Sequence, residues 1–396
     1  MAESFCDGRV TLHRGDMLAV LPSLPEASID ACVCDPPYVL PKVAARFGKE
    51  DSAVAQGRVY QGALANFVGK PAIVGDVAHK AETWREVYRV LKPGAWVVAF
   101  SAANNFGGLQ NALVAAGFEV REAVLDIIDA SHRVAAFLDL LSDAQRLAFL
   151  ECVVERSSAG NLLAWVFGSG FAHGKPIGKF MDRHYLGDQL DIDEIARGPV
   201  THSAAFYEGA DIVLKPAFEP IVMVRKPLVG TIAENLAAFG TGTLNIDACR
   251  VKGTDQDRNP SNVIHDGSPA ALGAFPGGAD RFFYSPKADS RDRAGSRHPT
   301  VKPLDVMQWL VRLVSMPGQT VLDPFAGSGT TGEAALAEGR RSILVELDKQ
   351  FQDDIADRMR TALAGPDERK RQLIKAKGTD TPFEAGTLFA SLWGTT

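Results

Sequence analysis

The chain has 396 residues, 46% of them hydrophobic and 23% charged, with a formal net charge of −6. This composition is ordinary for a globular protein, and the length suits two domains or one large α/β domain with an insertion. No segment has the apolar length of a membrane span and no signal-peptide core is evident, so a cytoplasmic protein is expected. The five scattered cysteines lack metal-binding spacing, which predicts reduced thiols and no metal site. Any contact with nucleic acid must come from a local basic face.

The first block, residues 8 to about 125, alternates short apolar strands with helices. Its predicted strands are RVTLHRGD, SIDACVCDPPY and AWVVAFSA, and its predicted helices are AETWREVYRVL, ending in Lys92-Pro93-Gly94, and NNFGGLQNALVAAGF. The last block, from about 296 to 363, repeats this alternation. Its predicted elements are a helix in VKPLDVMQWLVRLV, a strand and helix in QTVLDPFAGSGTTGEAALAEG, a strand in RRSILVELD and a helix in KQFQDDIADRMRTAL. Such alternation predicts a doubly wound, mostly parallel α/β sheet.

The middle of the chain, residues 126–295, differs from both flanking blocks. It is irregular, rich in Gly and Pro, and has no clear alternation of strands and helices, which is typical of an insertion that recognises a partner. The polar end of the chain predicts a flexible tail. We therefore expect four segments: 1–125, 126–295, 296–365 and 366–396.

A glycine-rich turn, Asp323-Pro-Phe-Ala-Gly-Ser-Gly-Thr-Thr-Gly332, follows an apolar strand and opens a helix. It lacks the lysine of a P-loop, which argues against nucleoside triphosphates. GSGTTG does match GxGxxG, and Glu346 ends the next strand, where a carboxylate could bind ribose hydroxyls. A nicotinamide-dependent reductase and an S-adenosylmethionine enzyme both fit this pattern. Asp323 favours S-adenosylmethionine, because a carboxylate attracts its amino and sulfonium groups and would repel a pyrophosphate.

A second motif, Asp35-Pro36-Pro37-Tyr38, ends the buried strand of the first block. The lone pair of an exocyclic amine on a base is delocalised into the ring. An enzyme can localise it by accepting hydrogen bonds from both N–H groups, here with the carboxylate of Asp35 and the carbonyl of Pro36. The prolines restrict the backbone and offer no competing N–H, and Tyr38 would stack on a flipped base. A plain Pro-Pro turn also fits this motif on its own.

The two motifs together resemble those of the N4/N6 amino-group DNA methyltransferases. Asp35 to Tyr38 matches the catalytic motif of that family, residues 323–332 match its cofactor loop, and His298-Pro-Thr-Val-Lys-Pro303 matches the element that precedes the loop. The motif order resembles the permuted group called the β class. The resemblance implies a Rossmann-like, circularly permuted fold with an inserted target recognition region, in which both motifs end on one edge of the sheet. It also implies S-adenosylmethionine as cofactor and double-stranded DNA as partner.

The resemblance assigns further residues to the cofactor. Those implied to line its methionine part are Asp323, Phe325, Gly327, Ser328, Gly329 and Thr330, with Thr300 and Lys302 near its carboxylate. Glu346 would take the ribose and Asp16 the adenine amine, although Asp16 could equally cap a turn. No nuclease motif is evident, so a stand-alone methyltransferase is expected.

The substrate predictions concern the base and the DNA backbone. Asp at the first motif position goes mostly with adenine in this family and Ser with cytosine, and a carboxylate accepts more strongly than a hydroxyl. We therefore predict transfer to N6 of adenine, with N4 of cytosine as the alternative. Lys175, Lys179 and Arg183 are spaced for one helical face and predict phosphate contacts, although a solvated face fits the same spacing.

Overall fold

The protein was analysed as a computed structural model. The structure describes residues 2–37, 77–103, 105–120, 142, 162–167, 177–187, 198–211, 217–252, 257–269, 272, 283–285, 287–296, 298 and 300–364. Its strands are β1 (Ala2–Phe5), β2 (Val10–Arg14), β3 (Ile29–Cys34), β4 (Leu91–Phe100), β5 (Leu162–Val166), β6 (Phe218–Arg225), β7 (Val263–His265), β8 (Phe283–Tyr284), β9 (Thr320–Asp323) and β10 (Arg341–Glu346). Its helices are α1 (Met17–Val20), α2 (Ala81–Val90), α3 (Phe106–Ala115), α4 (Ile177–Leu186), α5 (His202–Phe206), α6 (Ile232–Phe239), α7 (Ser290–Arg293), α8 (Leu304–Val314), α9 (Thr330–Ala337) and α10 (Lys349–Thr361).

The described strands form one mixed sheet in the order β1-β2-β10-β9-β3-β4-β6-β5-β7-β8. The central strands β2, β10, β9, β3 and β4 are all parallel, and the edge strand β1 is antiparallel to β2. The predicted α/β class with a mostly parallel sheet is therefore confirmed. Strands β9 and β3 are direct neighbours, although one comes from the last block of the sequence and the other from the first.

Helices cover both faces of the sheet, and this explains why the central strands are apolar throughout. Cys32 and Cys34 of β3 pack in the cluster that contains the apolar face of helix α2, whereas Ala31 and Val33 pack in the cluster that contains helix α8. A strand buried on two faces has no polar side to alternate with. Along the described residues, no helix is both long and apolar enough to cross a membrane.

Strand β4 begins earlier than the sequence indicates. Lys92-Pro93-Gly94 was expected to end a helix, but the strand starts at Leu91, which pairs with Ile29. The pairing of β3 with β4 shifts register between Ile29 and Ala31, and Gly94 has φ +81°. Such a local irregularity tolerates a proline, which cannot donate to a neighbouring strand.

The middle block contributes to the sheet rather than lying apart from it. Strand β6 pairs antiparallel with β4, β5 pairs antiparallel with β6, and the short strands β7 and β8 extend the same sheet. An antiparallel neighbour needs no crossover helix, and its absence removed the sequence pattern that marks the flanking blocks. That the rest of residues 126–295 recognises DNA stays a prediction, and the predicted tail lies outside the described residues.

Candidate active site

The carboxyl ends of neighbouring parallel strands bring the two motifs together. Cys32 of β3 pairs with Leu322 of β9, so Asp35 and Asp323 emerge side by side at the same edge of the sheet. The chain leaves β9 towards β10 on one side and β3 towards β4 on the other. Ligands of open α/β sheets bind at such a switch point, which makes this edge the candidate site.

The glycine-rich loop has the backbone that its sequence demands. Gly327 has φ +52° and Gly329 has φ +78°, a left-handed conformation that favours glycine. A Cβ atom at Gly327 would lie 3.0 Å from His298 Nε2, and one at Gly329 would lie 3.0 Å from an Ile355 side-chain carbon. The loop therefore needs glycine at both positions for its conformation and for close packing.

Two buried carboxyl groups organise the loop. Asp323 accepts hydrogen bonds from the backbone N–H of Phe325 at 3.0 Å and from the hydroxyl of Thr331. Glu346 accepts from the backbone N–H groups of Gly327 at 2.7 Å and Asp348 at 2.8 Å. Burial raises the pKa of each of these carboxyl groups to about 7, against the opposing effect of their hydrogen bonds.

Other residues of the loop pack around these acids. The hydroxyls of Ser328 and Thr330 are 3.0 Å apart, and both side chains are buried. The ring of Phe325 contacts Trp84 edge-on, with 6.0 Å between ring centroids. The structure thus places the predicted loop residues on a single turn between β9 and α9, next to Glu346.

The carboxylate of Asp35 is held on one side only. Its Oδ2 lies 2.6 Å from Lys302 Nζ, while its buried Oδ1 has no hydrogen-bond partner among the described residues. The same Lys302 nitrogen lies 3.0 Å from Glu219 Oε1. Burial raises the pKa of Asp35, Lys302 lowers it and Glu219 raises it. Pro36 is buried and Pro37 half-buried, as befits a fixed turn.

The segment that carries Lys302 also carries His298 and Thr300. Burial, followed by the charges of Lys302 and Arg293, lowers the pKa of His298 to about 4, so the ring is neutral at neutral pH. Its Nδ1 accepts from the backbone N–H of Thr300 at 3.3 Å, which leaves the ring proton on Nε2, facing the loop. The exposed Thr300 is close enough to lower the pKa of Asp35, although its hydroxyl completes no hydrogen bond to Oδ1.

A cleft of about 390 Å³ opens beside these charged groups. Its lining residues include the aromatic Trp165, Phe167 and Phe218 together with Glu219, Lys287 and Lys302. Lys287 Nζ lies 3.9 Å from the centroid of the Phe167 ring. The volume and the aromatic walls with a few convergent polar groups are typical of a ligand site.

The remaining predicted site residues differ in what the structure says of them. Asp16 is exposed and caps helix α1 by accepting from the backbone N–H of Leu18 at 2.8 Å, which is the turn-capping alternative, so its contact with adenine stays a prediction. Lys179 and Arg183 are exposed on helix α4, as the spacing indicated. Tyr38 and Lys175 lie outside the described residues.

The site suits a cationic cofactor on its own geometry. Asp35, Asp323 and Glu346 end three parallel strands at one edge, and burial raises the pKa of all three. A buried carboxylate without a counter-charge is costly, and an ammonium or sulfonium group would remove that cost. Within the described residues, no group of three or more His, Cys, Asp or Glu is arranged to hold a metal ion.

Comparison with known proteins decides the family. Residues 29–357 match the family model N6_N4_Mtase, described as DNA methylase. The chain belongs to this methylase family. Its members use S-adenosylmethionine to methylate amino groups of DNA, so the reductase alternative has no support.

Individual relatives of the methylase are similar over short stretches. It is 46% identical over 54 residues to the DNA adenine methyltransferase YhdJ of Escherichia coli strain K12, which is 14% of this chain and 18% of that protein. It is 33% identical over 133 residues to the Type II methyltransferase M.HindIII of Haemophilus influenzae, which is 33% of this chain and 36% of that protein. The chain thus matches at most about a third of these relatives' lengths.

A solved structure aligns over a larger share. The DNA modification methylase TTHA0409 of Thermus thermophilus, complexed with S-adenosyl-L-methionine, aligns over 89% of this chain and 96% of its own. The sequence identity is 20% and the TM-score is 0.39.

Sequence reasoning missed two features of the methylase site. It assigned Lys302 to the cofactor carboxylate, and the structure places Lys302 on Asp35; the cofactor contact stays a prediction. It gave no role to Glu219, which opens the apolar run of β6. The signal that could have found Glu219 is an acid beside such a run, as at Asp35 and Asp323.

Proposed function

We propose that this methylase transfers a methyl group from S-adenosylmethionine to N6 of adenine in double-stranded DNA. The observation that carries the proposal is the buried, partnerless Oδ1 of Asp35 beside the glycine-rich loop. Leaving a buried acceptor unpaired costs about 1–3 kcal/mol, so a ligand N–H is the expected partner. The amine of a flipped base would supply it.

The residues divide the work of the reaction. Asp35 Oδ1 accepts one N–H of the target amine and the carbonyl of Pro36 accepts the other, which points the nitrogen lone pair away from the base. Both acceptors are fixed before the reaction, so they stabilise the positive charge that develops on the nitrogen. Asp323 and Glu346 stabilise the cationic and ribose parts of the cofactor. The bound cofactor supplies a methyl group already activated on a sulfonium, and no covalent nucleophile is required.

The choice of adenine rests on two further points. A carboxylate accepts hydrogen bonds more strongly than the serine hydroxyl found at this position in other family members. The similar stretch of YhdJ belongs to a protein whose name specifies adenine. Asp35 and Pro36 could hold the N4 amine of cytosine in the same way, and this alternative is decided by experiment.

Nucleoside analysis tests both the reaction and the base. The purified protein is incubated with S-adenosylmethionine and genomic DNA that lacks methylated bases, and the DNA is digested to nucleosides for mass spectrometry. We expect N6-methyladenine, and none with an Asp35→Asn preparation. N4-methylcytosine alone would assign the enzyme to cytosine, and no methylated base on any DNA would refute the proposed function.

We also propose that helix α4 contacts the DNA backbone. Lys179 and Arg183 lie one turn apart and are exposed, and the buried Asp182 anchors the helix by accepting from Val200 N at 3.0 Å and Thr201 N at 2.7 Å. Lys179→Gln with Arg183→Gln should reduce the slope of log affinity against log salt by roughly one unit for each phosphate that is no longer neutralised. Fluorescence anisotropy with a duplex measures the slope.

The matched control removes two arginines elsewhere. Arg85 is exposed on helix α2, and Arg341 is exposed at the amino end of β10, opposite the candidate site. Arg85→Gln with Arg341→Gln should leave the slope unchanged. If the α4 variant also leaves it unchanged, these side chains form a solvated face and the predicted binding of phosphate is wrong.

A further inference from the structure

The two oxygens of the Asp35 carboxylate have different environments. Oδ2 binds Lys302 Nζ at 2.6 Å, and Oδ1 is buried without a partner among the described residues. The side chains of Asp35 and Lys302 are only 15% and 8% exposed. The lysine therefore fixes which oxygen remains available to a ligand.

Lys302 is itself held by a second acid on another strand. Its Nζ lies 3.0 Å from Glu219 Oε1 and 4.7 Å from the centroid of the Phe100 ring. Strands β3, β4 and β6 are consecutive in the sheet, and Asp35, Phe100 and Glu219 belong to these three strands or directly follow them. The lysine thus passes over the ring of the middle strand to reach a carboxylate on either side.

This arrangement contains two carboxylates and one ammonium. An isolated ion pair would satisfy Lys302 and Asp35 alone, and the additional Glu219 leaves a local excess of negative charge. The surplus suits a site in which positive charge develops on the substrate nitrogen. Both Lys302 and Glu219 also line the cleft beside Asp35.

We propose that Lys302 and Glu219 are positioning residues for methyl transfer: Lys302 binds one oxygen of Asp35 so that the other faces the target amine, and Glu219 holds Lys302 in place. The proposal rests on the proposed function, since it assigns Asp35 as the amine acceptor. It gives Lys302 a role other than binding the cofactor carboxylate. It also makes Glu219 part of the reaction without requiring it to touch the substrate.

The two residues should affect the protonation of Asp35 in opposite directions. The charged groups that face Asp35 are Lys302, Glu219 and Asp323, and the neighbouring Cys34 thiol is uncharged because burial raises its pKa. Only the ionised carboxylate accepts hydrogen bonds at both oxygens, so activity should fall as the pH falls through the pKa of Asp35. Removing Lys302 should raise this pKa, and neutralising Glu219 should lower it.

The test compares Lys302→Met, Lys302→Arg and Glu219→Gln in the full chain. Single-turnover methyl transfer to duplex DNA is measured against pH, and S-adenosylmethionine affinity is measured by calorimetry. Lys302→Met should slow transfer by about 100-fold, because the acceptor loses its orientation, and should move the acid limb to higher pH. Glu219→Gln should move the limb to lower pH, and Lys302→Arg should restore its position. All three variants should bind the cofactor within about two-fold of the parent protein.

A readout without turnover separates this proposal from the proposed function. The Asp35 carboxyl resonance, observed by ¹³C NMR and assigned with Asp35→Asn, reports the pKa of Asp35 whether or not the protein methylates DNA. Opposite shifts for Lys302→Met and Glu219→Gln support the coupling even if no methylated base is found. Shifts in the same direction would overturn the proposal. Weakened cofactor binding by Lys302→Met with an unmoved Asp35 resonance would also overturn it and return Lys302 to the cofactor carboxylate.

Discussion

Asp35→Asn is expected to slow methyl transfer by about 100- to 1,000-fold, the range seen when one preorganised contact to developing charge is removed. The amide keeps the size of the side chain and loses its charge. Its NH₂ group would also point donors at the amine, where acceptors are needed. Because the interaction strengthens as the methyl group moves, the loss should appear in the chemical step.

Affinity for S-adenosylmethionine provides the internal check on this variant. Calorimetry should give a dissociation constant within about two-fold of the parent value, since the loss is confined to the transition state. Asp247→Asn is the matched control, because that side chain is 87% exposed and pairs only with its neighbour Arg250 among the described contacts. An Asp35→Asn protein with at least about a tenth of normal turnover would rule out the assigned role.

The second large effect concerns stability. Arg358 is 1% exposed and pairs with the buried Glu333 at 2.7 Å, and it also donates to the carbonyl of Asp292. Removing one member of a buried pair leaves an uncompensated charge and costs about 3–5 kcal/mol. Arg358→Met should lower the free energy of unfolding by that amount, measured by denaturant titration.

Helix α10 supplies a matched control for this prediction. Arg360 is 58% exposed and pairs with Asp357 at 3.1 Å, so Arg360→Met should cost no more than about 1 kcal/mol. Adding Glu333→Leu to Arg358→Met should recover most of the loss, because an apolar pair removes the stranded charge. Equal losses for Arg358→Met and Arg360→Met would mean that the buried pair contributes little.

Arg358 also links stability to the site. Asp292, whose carbonyl it binds, accepts from the backbone N–H of Leu304 at 2.9 Å through its side chain, and Arg293 donates to the carbonyl of His298 at 3.0 Å. These contacts enclose the segment that presents Lys302 to Asp35. Arg358→Met should therefore also reduce turnover at temperatures where the chain remains folded.

Local pattern sufficed to predict the parallel sheet and the meeting of Asp35 with Asp323. Each acid directly follows a short apolar strand, and parallel strands carry such positions to one edge. The capping of α1 by Asp16 was also among the alternatives, because an Asp before a short helix is a common cap. These features depend on residues that are close in sequence.

The features that sequence reasoning missed depend on residues far apart. Lys302 and Asp35 are separated by 267 positions, and nothing local to either residue shows that they pair. The early start of β4 depends on the pairing of Leu91 with Ile29, which lies on another strand. Strand β6 joins the sheet without a helix to announce it. In each case a tertiary contact overrides or supplements the local pattern.

The order of strands has a consequence for synthesis on the ribosome. Strands β9 and β10 lie between β2 and β3 in the sheet, although they are made long after both. At about 5–20 residues per second, the open edges of β2 and β3 wait on the order of tens of seconds for their partners. Unpaired apolar strand edges are sites of aggregation. The nascent chain therefore depends on factors that shield its first strands, and a chain that stops before β9 cannot complete the sheet.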